Sequence, residues 1–298
     1  MNSQFTLSCC STVDLPYAHL VQRQVPVLFY TYVVDGQEYA DDMGRDPEAL
    51  PRFYRFLQEG KLPQTSQINV ATYVEFFEQQ LKKGDLLHIA FTSGQSGSVN
   101  NAYIAAETLR EKYPERKIQV IDSLCSSSGY GLLVDEAADL RDAGRSLEET
   151  AQWVLANRNK VHHQFFSSDM TQFRRTGRVS GAAAMVATVL NICPIMRLND
   201  EGRIIAYDKV RGKKKAVAVT VENMLQHAQN GADNAGRSYI CNSDCPEDAK
   251  LLTDAIGEKF PNLRGKIVQC DIGTIIGSHA GKGTVAVFFM GDERPHME

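Results

Sequence analysis

A chain of 298 residues with 43% apolar content can bury a large core, and its length suits two α/β domains as well as one. The formal net charge of -4 provides no global field for nucleic acid, so none is expected as a partner. No run approaches the roughly 18 apolar residues of a membrane span, and the start MNSQFTLSCC lacks a charged-then-apolar leader, which points to a cytoplasmic address.

In chain order, a first strand is expected near Phe5 to Ser8, ending in the polar turn Cys9 to Pro16. Val25 to Val34 reads as one long strand, Asp35-Gly36 as a hairpin dipeptide, and Gln37 to Tyr39 as the returning strand. Arg52 to Gln58 begins helical, Lys61 to Gln67 is a hydroxyl-bearing loop, and Val70, Tyr73, Val74, Phe77 and Leu81 form the apolar face of a helix stopped at Gly84. Leu86 to Phe91 is a strand apolar enough to be covered on both faces, and Asn100 to Leu109 is a helix. Lys117 to Asp122 gives another strand, Ser123 to Gly131 a small-residue turn, Leu132 to Ala143 a helix, and Ser146 to Glu149 a capping box opening a helix to Asn157. This alternation implies a mostly parallel sheet with helices on both faces.

Near Val161 the pattern changes. Val161 to Ser167 is a strand, Thr171 to Gly181 a basic polar loop, and Ala182 to Leu190 a small-residue helix ended by Pro194. Ile195 to Leu198 and Arg203 to Tyr207 flank the hairpin signal Asn199 to Gly202. A helix over Lys214 to Gln229, strand Ser238 to Cys241, a helix started by Pro246 and strand Ile267 to Asp271 follow. The loop Ile276 to Gly283 then enters a last strand, Thr284 to Met290. The expectation is an N-terminal α/β domain over 1–162 and a C-terminal α+β domain over 163–298.

The chemistry concentrates in Thr92 to Ser98. Gly94 and Gly97 allow close approach, and Ser93, Ser96 and Ser98 place hydroxyls beside unpaired helix amides, a cradle for a carboxylate or phosphate or simply a capped helix start. A serine hydrolase using Ser96 with His279 as base is the alternative, but Gly94-Gln95-Ser96-Gly97-Ser98 lacks the second glycine of a nucleophile elbow and no acid is marked to orient the histidine. Neither nucleotide-binding glycine motif occurs at a strand–helix junction. Seven cysteines, an odd number, read as free thiols, and Cys241 with Cys245 has no partners for a tetrahedral zinc site, so no metal is expected.

Six motifs occur in one order: Leu62-Pro63 before Thr65-Ser66-Gln67, Thr92 to Gly97, Val120 to Ser123, Gly177 to Ser180, Lys209 to Lys214 and Ile276 to Gly281. Together they resemble the DegV family of fatty-acid-binding proteins over essentially the whole chain. The resemblance implies a two-domain protein that holds a long-chain fatty acid in a tunnel between its domains, needs no cofactor, acts as a carrier and not a catalyst, and in some bacteria presents the acyl chain to a fatty acid kinase. It implies further that Thr65, Ser93, Ser96 and His279 are the ligand-binding residues, with Thr65, Ser96 and His279 contacting the carboxylate and Ser93 steadying its loop, that Gly94, Gly97, Gly277 and Ser278 support the loops, and that Arg178 and Arg211 face the kinase. The chain departs from the family pattern at Cys10, where an acid is usual before Ser-Thr, at Ser98-Val99, and at Lys282, which adds a positive charge near the head-group loops. A sixteen-carbon tail at about 0.8 kcal/mol per buried methylene would contribute on the order of 10 kcal/mol before ordering costs, so the head-group loops set orientation more than strength.

Overall fold

The computed structural model describes residues 5–180 and 191–296; the helix expected over Ala182 to Leu190 lies outside the described residues. The first half runs β1 (Phe5–Cys10), α1 (Tyr17–Gln22), β2 (Val27–Leu28), β3 (Thr31–Val34), β4 (Gln37–Ala40), α2 (Ala49–Gln58), β5 (Gln64–Thr65), α3 (Val70–Leu81), β6 (Asp85–Ala90), α4 (Ser98–Lys112), β7 (Ile118–Asp122), α5 (Ser127–Asp142) and α6 (Leu147–Asn157). The second runs β8 (Val161–Ser167), α7 (Thr171–Thr176), β9 (Val179–Ser180), β10 (Ile192–Leu198), β11 (Ile204–Arg211), α8 (Lys213–His227), β12 (Ser238–Asn242), α9 (Pro246–Lys259), β13 (Val268–Asp271), α10 (Thr274–Ala280) and β14 (Thr284–Met290).

Three sheets form among the described residues. A four-stranded parallel sheet has the order β2-β1-β6-β7, a mixed seven-stranded sheet the order β13-β12-β14-β8-β10-β11-β9, and a small antiparallel sheet the order β4-β3-β5. Strand alternation divides the core. In β14, Val285, Val287 and Phe289 pack under α8 and α9, whereas Ala286 and Phe288 join a cluster continuous with Leu7, Leu87 and Ile89 of the parallel sheet.

Helix α5 lies between the two large sheets, touching β1 on one side and β8, β12 and β14 on the other. That position explains why it begins at Ser127, earlier than the expected Leu132. Its first turns carry Gly129 and Gly131, which read as turn residues but leave no room for a side chain: a Cβ at Gly131 would stand 2.8 Å from the Val13 carbonyl, and one at Gly129 would overlap the His163 ring. The expected strand Val25 to Val34 is two strands, β2 in the parallel sheet and β3 in the small one, with Tyr30 between them donating its amide to Ser11 Oγ and accepting from the Asp41 amide. The hairpin dipeptide holds, with φ of 51° at Asp35 and 79° at Gly36. The capping box of Ser146 and Glu149 is present with both bonds. Two stretches read as loops contain helices: α7 within Thr171 to Gly181, and α10 over the start of Ile276 to Gly283.

Helix α10 is held by aromatic packing as well as by its ends. Phe53 of α2 is fully buried, meets Tyr32 edge-on at 5.3 Å and Tyr54 at 5.1 Å, and fills the space beside Gly277, where a Cβ would come within 2.8 Å of its ring. Removing that ring leaves a cavity under α10. We expect Phe53→Ala to lower unfolding free energy by about 3–5 kcal/mol in urea denaturation, and a loss under about 1 kcal/mol would show that the cluster does not carry this junction.

Candidate functional site

A cavity of about 390 Å³, a size usual for small-molecule sites, opens between the parallel and mixed sheets. Its apolar walls include Phe91, Phe165, Phe173, Leu198, Ile204, Ile275 and Phe288, and its polar lining includes Thr65, Ser93, Ser96, Gln95 and His279. The four expected ligand-binding residues are thus brought to one cavity from three places in the chain: β5, the β6–α4 loop and α10.

Each is positioned by a short list of bonds. Thr65 Oγ1 lies 2.9 Å from His279 Nε2, so the hydroxyl and imidazole form a pair across 214 residues. Ser93 donates its amide to Asp122 Oδ1, which also accepts from the Leu124 amide, and this accounts for the Val120 to Ser123 motif. Ser96 Oγ accepts from the Ser98 amide at 3.3 Å, and Ser98 Oγ bonds the Ile68 amide and Tyr73. The departure at Ser98 therefore serves packing of the loop. Gly94 and Gly97 both line the cavity; Gly277 and Ser278 do not, and Ser278 donates instead to the Thr274 carbonyl inside α10.

The loop is closed from above by the β10–β11 hairpin. Gly202, with φ of 73°, accepts from Thr92 Oγ1 and Gln95 Nε2, and a Cβ on Gly94 would stand 2.5 Å from the Glu201 carbonyl. Nothing in the sequence linked Asn199 to Gly202 with Thr92 to Ser98, since the contact spans over a hundred residues.

Two acids missed as site residues set the place of His279. Asp14 Oδ1 accepts from the Gly273 amide at 3.0 Å, and Asp41 Oδ1 accepts from the Thr274 amide at 3.2 Å and its hydroxyl at 2.8 Å. Both carboxylates anchor the start of α10. Burial pushes the pKa of each upward against these bonds. The Asp14-Leu15-Pro16 turn offered a signal, but its target lay beyond sequence reach. Thr12, whose hydroxyl is buried without a partner among the described residues, and Tyr30 also line the cavity.

Of the basic residues, Arg178 lines the cavity and is exposed, while Arg211 is exposed at the end of β11, outside it. Lys282, expected near the head-group loops, is not in the lining and pairs with Asp244 at 2.5 Å. Among the described residues no helix is long and apolar enough to cross a membrane.

The profile described as an uncharacterised protein of the DegV family matches residues 10–292. A DegV domain-containing protein of Clostridium perfringens is 37% identical over 293 residues, covering 98% of this chain and 99% of the relative. The chain belongs to the DegV family. Among solved DegV structures, one from Thermus thermophilus, described by its fatty acid binding, is similar with a TM-score of 0.83 and 26% identity over 97% of this chain and 100% of that one. The fatty acid kinase (Fak) B3 protein of Streptococcus pneumoniae, loaded with linoleic acid, shares the fold with a TM-score of 0.81 and 23% identity over 97% and 100% of the two chains.

His279 is held neutral in this DegV chain. Burial, followed by the charges of Arg178 and Arg175, brings its pKa from 6.5 down to about 4. An unfolded chain takes up this proton near 6.5, so the neutral imidazole's contribution is complete above that pH and is lost as pH falls toward 4. His88 and His162, depressed to about 3 and about 4, share the window, so a difference measurement is needed. Denaturation of wild type and His279→Gln at about pH 7 and about pH 4.5 should show a smaller acid loss in the variant. Equal losses would mean that His279 titrates normally.

Proposed function

We propose that this protein carries one long-chain fatty acid in the cavity between its sheets, carboxylate toward Thr65, Ser96 and His279, and presents it to a fatty acid kinase. The supporting observation is the pairing of Thr65 with a neutral His279 in a cavity that also offers the apolar walls of Phe91, Phe165, Phe173, Ile275 and Phe288. If Nε2–H donates to Thr65 Oγ1, the threonine proton is left for a carboxylate; in the other tautomer Nδ1–H, buried without a partner among the described residues, is the spare donor. Hydroxyls and a neutral imidazole stabilise the anion without a buried counter-charge, which suits reversible loading. Family membership and the fatty acids bound by its structural neighbours support the same ligand.

The carrier reading is favoured over a serine hydrolase. His279 Nε2 is engaged by Thr65 and not Ser96, and among the described residues Nδ1 has no carboxylate to orient it. We take residues 1–162 and 163–298 as the two working halves, with the sheet changing between β7 and β8. A cytoplasmic address accords with seven cysteines that are all free thiols.

Native mass spectrometry and lipid extraction of freshly purified protein should reveal one acyl chain per molecule. The double variant Ser96→Ala, His279→Ala should bind fatty acid more weakly by at least about tenfold, since bonds to a charged group are worth about 1.5–3 kcal/mol each. Undiminished binding by a folded variant would overturn the head-group assignment.

Arg178 at the cavity and exposed Arg211 are assigned to kinase docking, where rim charges act on association rate and salt dependence. Arg211→Ala should leave acyl binding intact while slowing phosphorylation of the bound fatty acid by the cognate kinase. Equal rates at limiting carrier across a range of salt would remove Arg211 from that surface.

A further inference from the structure

Strand β8 sends adjacent histidines to opposite faces of the mixed sheet. His163 lines the acyl cavity, whereas His162 lies on the far face, stacked on Phe289 at 5.1 Å and on His227 at 5.1 Å with ring planes 19° apart. His227 closes α8, and the chain leaving β14 crosses both rings at Gly291, where a Cβ would overlap the His227 carbonyl and approach the His162 ring at 2.8 Å. This crossing places Asp292 against the pair. His162 Nε2 is 2.9 Å from Asp292 Oδ1 and 3.0 Å from its backbone carbonyl, and His227 Nδ1 is 3.1 Å from both carboxylate oxygens.

We propose that His162, His227 and Asp292 form a binding site for a divalent transition cation of the zinc class, separate from the acyl cavity. Their ligating atoms all lie within 4.8 Å of one another. A tetrahedral zinc with bonds of about 2.0–2.1 Å spaces its donors by about 3.3–3.4 Å. The 2.9 and 3.1 Å imidazole–carboxylate separations would open by a few tenths of an ångström, and the histidine–histidine separation, within 4.8 Å, would adjust to the same spacing. Two imidazoles and one carboxylate are a ligand set that zinc accepts, with solvent at the fourth position beside the exposed Asp292. On binding, a neutral imidazole that carries its proton on the ligating nitrogen shifts it to the other ring nitrogen, only a charged ring releases one to solvent, and the bond from His162 to the Asp292 carbonyl is given up. The three ligands come from β8, the end of α8 and the segment after β14. An ion there would staple the C-terminal segment to the mixed sheet, next to the clamp that buried Arg294 makes on the Leu124 carbonyl and Asn159.

The test uses the full chain after chelator treatment, titrated with Zn2+ and, separately, with Mg2+, by calorimetry and thermal melting. One Zn2+ per chain and a raised Tm are expected, with no effect of Mg2+. His227→Ala, at a half-buried position, and Asp292→Asn, at an exposed one, should each weaken zinc binding by more than about tenfold and abolish the rise in Tm while fatty acid affinity stays unchanged. No change in Tm with Zn2+, or zinc binding equal in wild type and both variants, would overturn the proposal. Cobalt substitution gives a second reading: a thiolate-to-cobalt band would place the ion on a cysteine such as Cys245 and equally overturn it.

Discussion

Two carboxylates buried under the first turn of α10 hold the site together. Asp14 and Asp41 come from the first half of the chain, yet they accept the amides of Gly273 and Thr274. Desolvation makes each charge costly; Ser127 Oγ of α5 offsets part of that cost at Asp14, and the bonds from Gly273 and Thr274 offset more of it only while α10 stays in place. The position of His279 is therefore coupled to the parallel sheet through bonds at the opposite end of its own helix. Tyr54, donating to the Ile272 carbonyl, adds a third tether to the same turn.

The second coupling is steric. Gly94 and Gly202 meet backbone to backbone, so the serine loop and the β10–β11 hairpin fit only when neither carries a side chain. Thr92 and Gln95 bond across that contact to one carbonyl. Ser93 and Ser96 are exposed to the cavity by a loop whose other polar groups are occupied, by Asp122 below and the hairpin above. This arrangement leaves hydroxyls free to serve a ligand without leaving the loop itself unsatisfied.

The resulting end of the cavity is polar but close to neutral. Arg178 is the cation in its described lining, and it is exposed at the rim. Lys282, which sequence proximity placed beside the head group, is turned to Asp244. On the proposed reading, a carboxylate held by Thr65, Ser96 and neutral His279 would keep its charge accessible to a partner, and the apolar walls would supply most of the affinity.

Local patterns determined much of this protein. Strand β8, the Ser146 capping box, the Asp35-Gly36 turn and the Asn199 to Gly202 hairpin follow from residues a few positions apart, and the ordered motifs pointed to the family and to Thr65, Ser93, Ser96 and His279. Tertiary structure decided what depends on distant partners. Val25 to Val34 is largely apolar and rich in strand formers, so its pattern reads as continuous; the division comes from Cys9 and Cys10 pairing with Val27 and Leu28 while Tyr30 turns to Ser11. The early start of α5 was hidden because Gly129 and Gly131 resemble a turn, and only their neighbours His163, Val13 and Leu15 show that they are there for lack of space. Helix α10 is the clearest case. Thr274 to Ala280 is short, has a glycine inside it and two β-branched residues beside its first position, so its intrinsic helix tendency is poor. It forms because acids some 230 to 260 residues earlier accept its first amides, an energy term that no local reading of those seven residues contains.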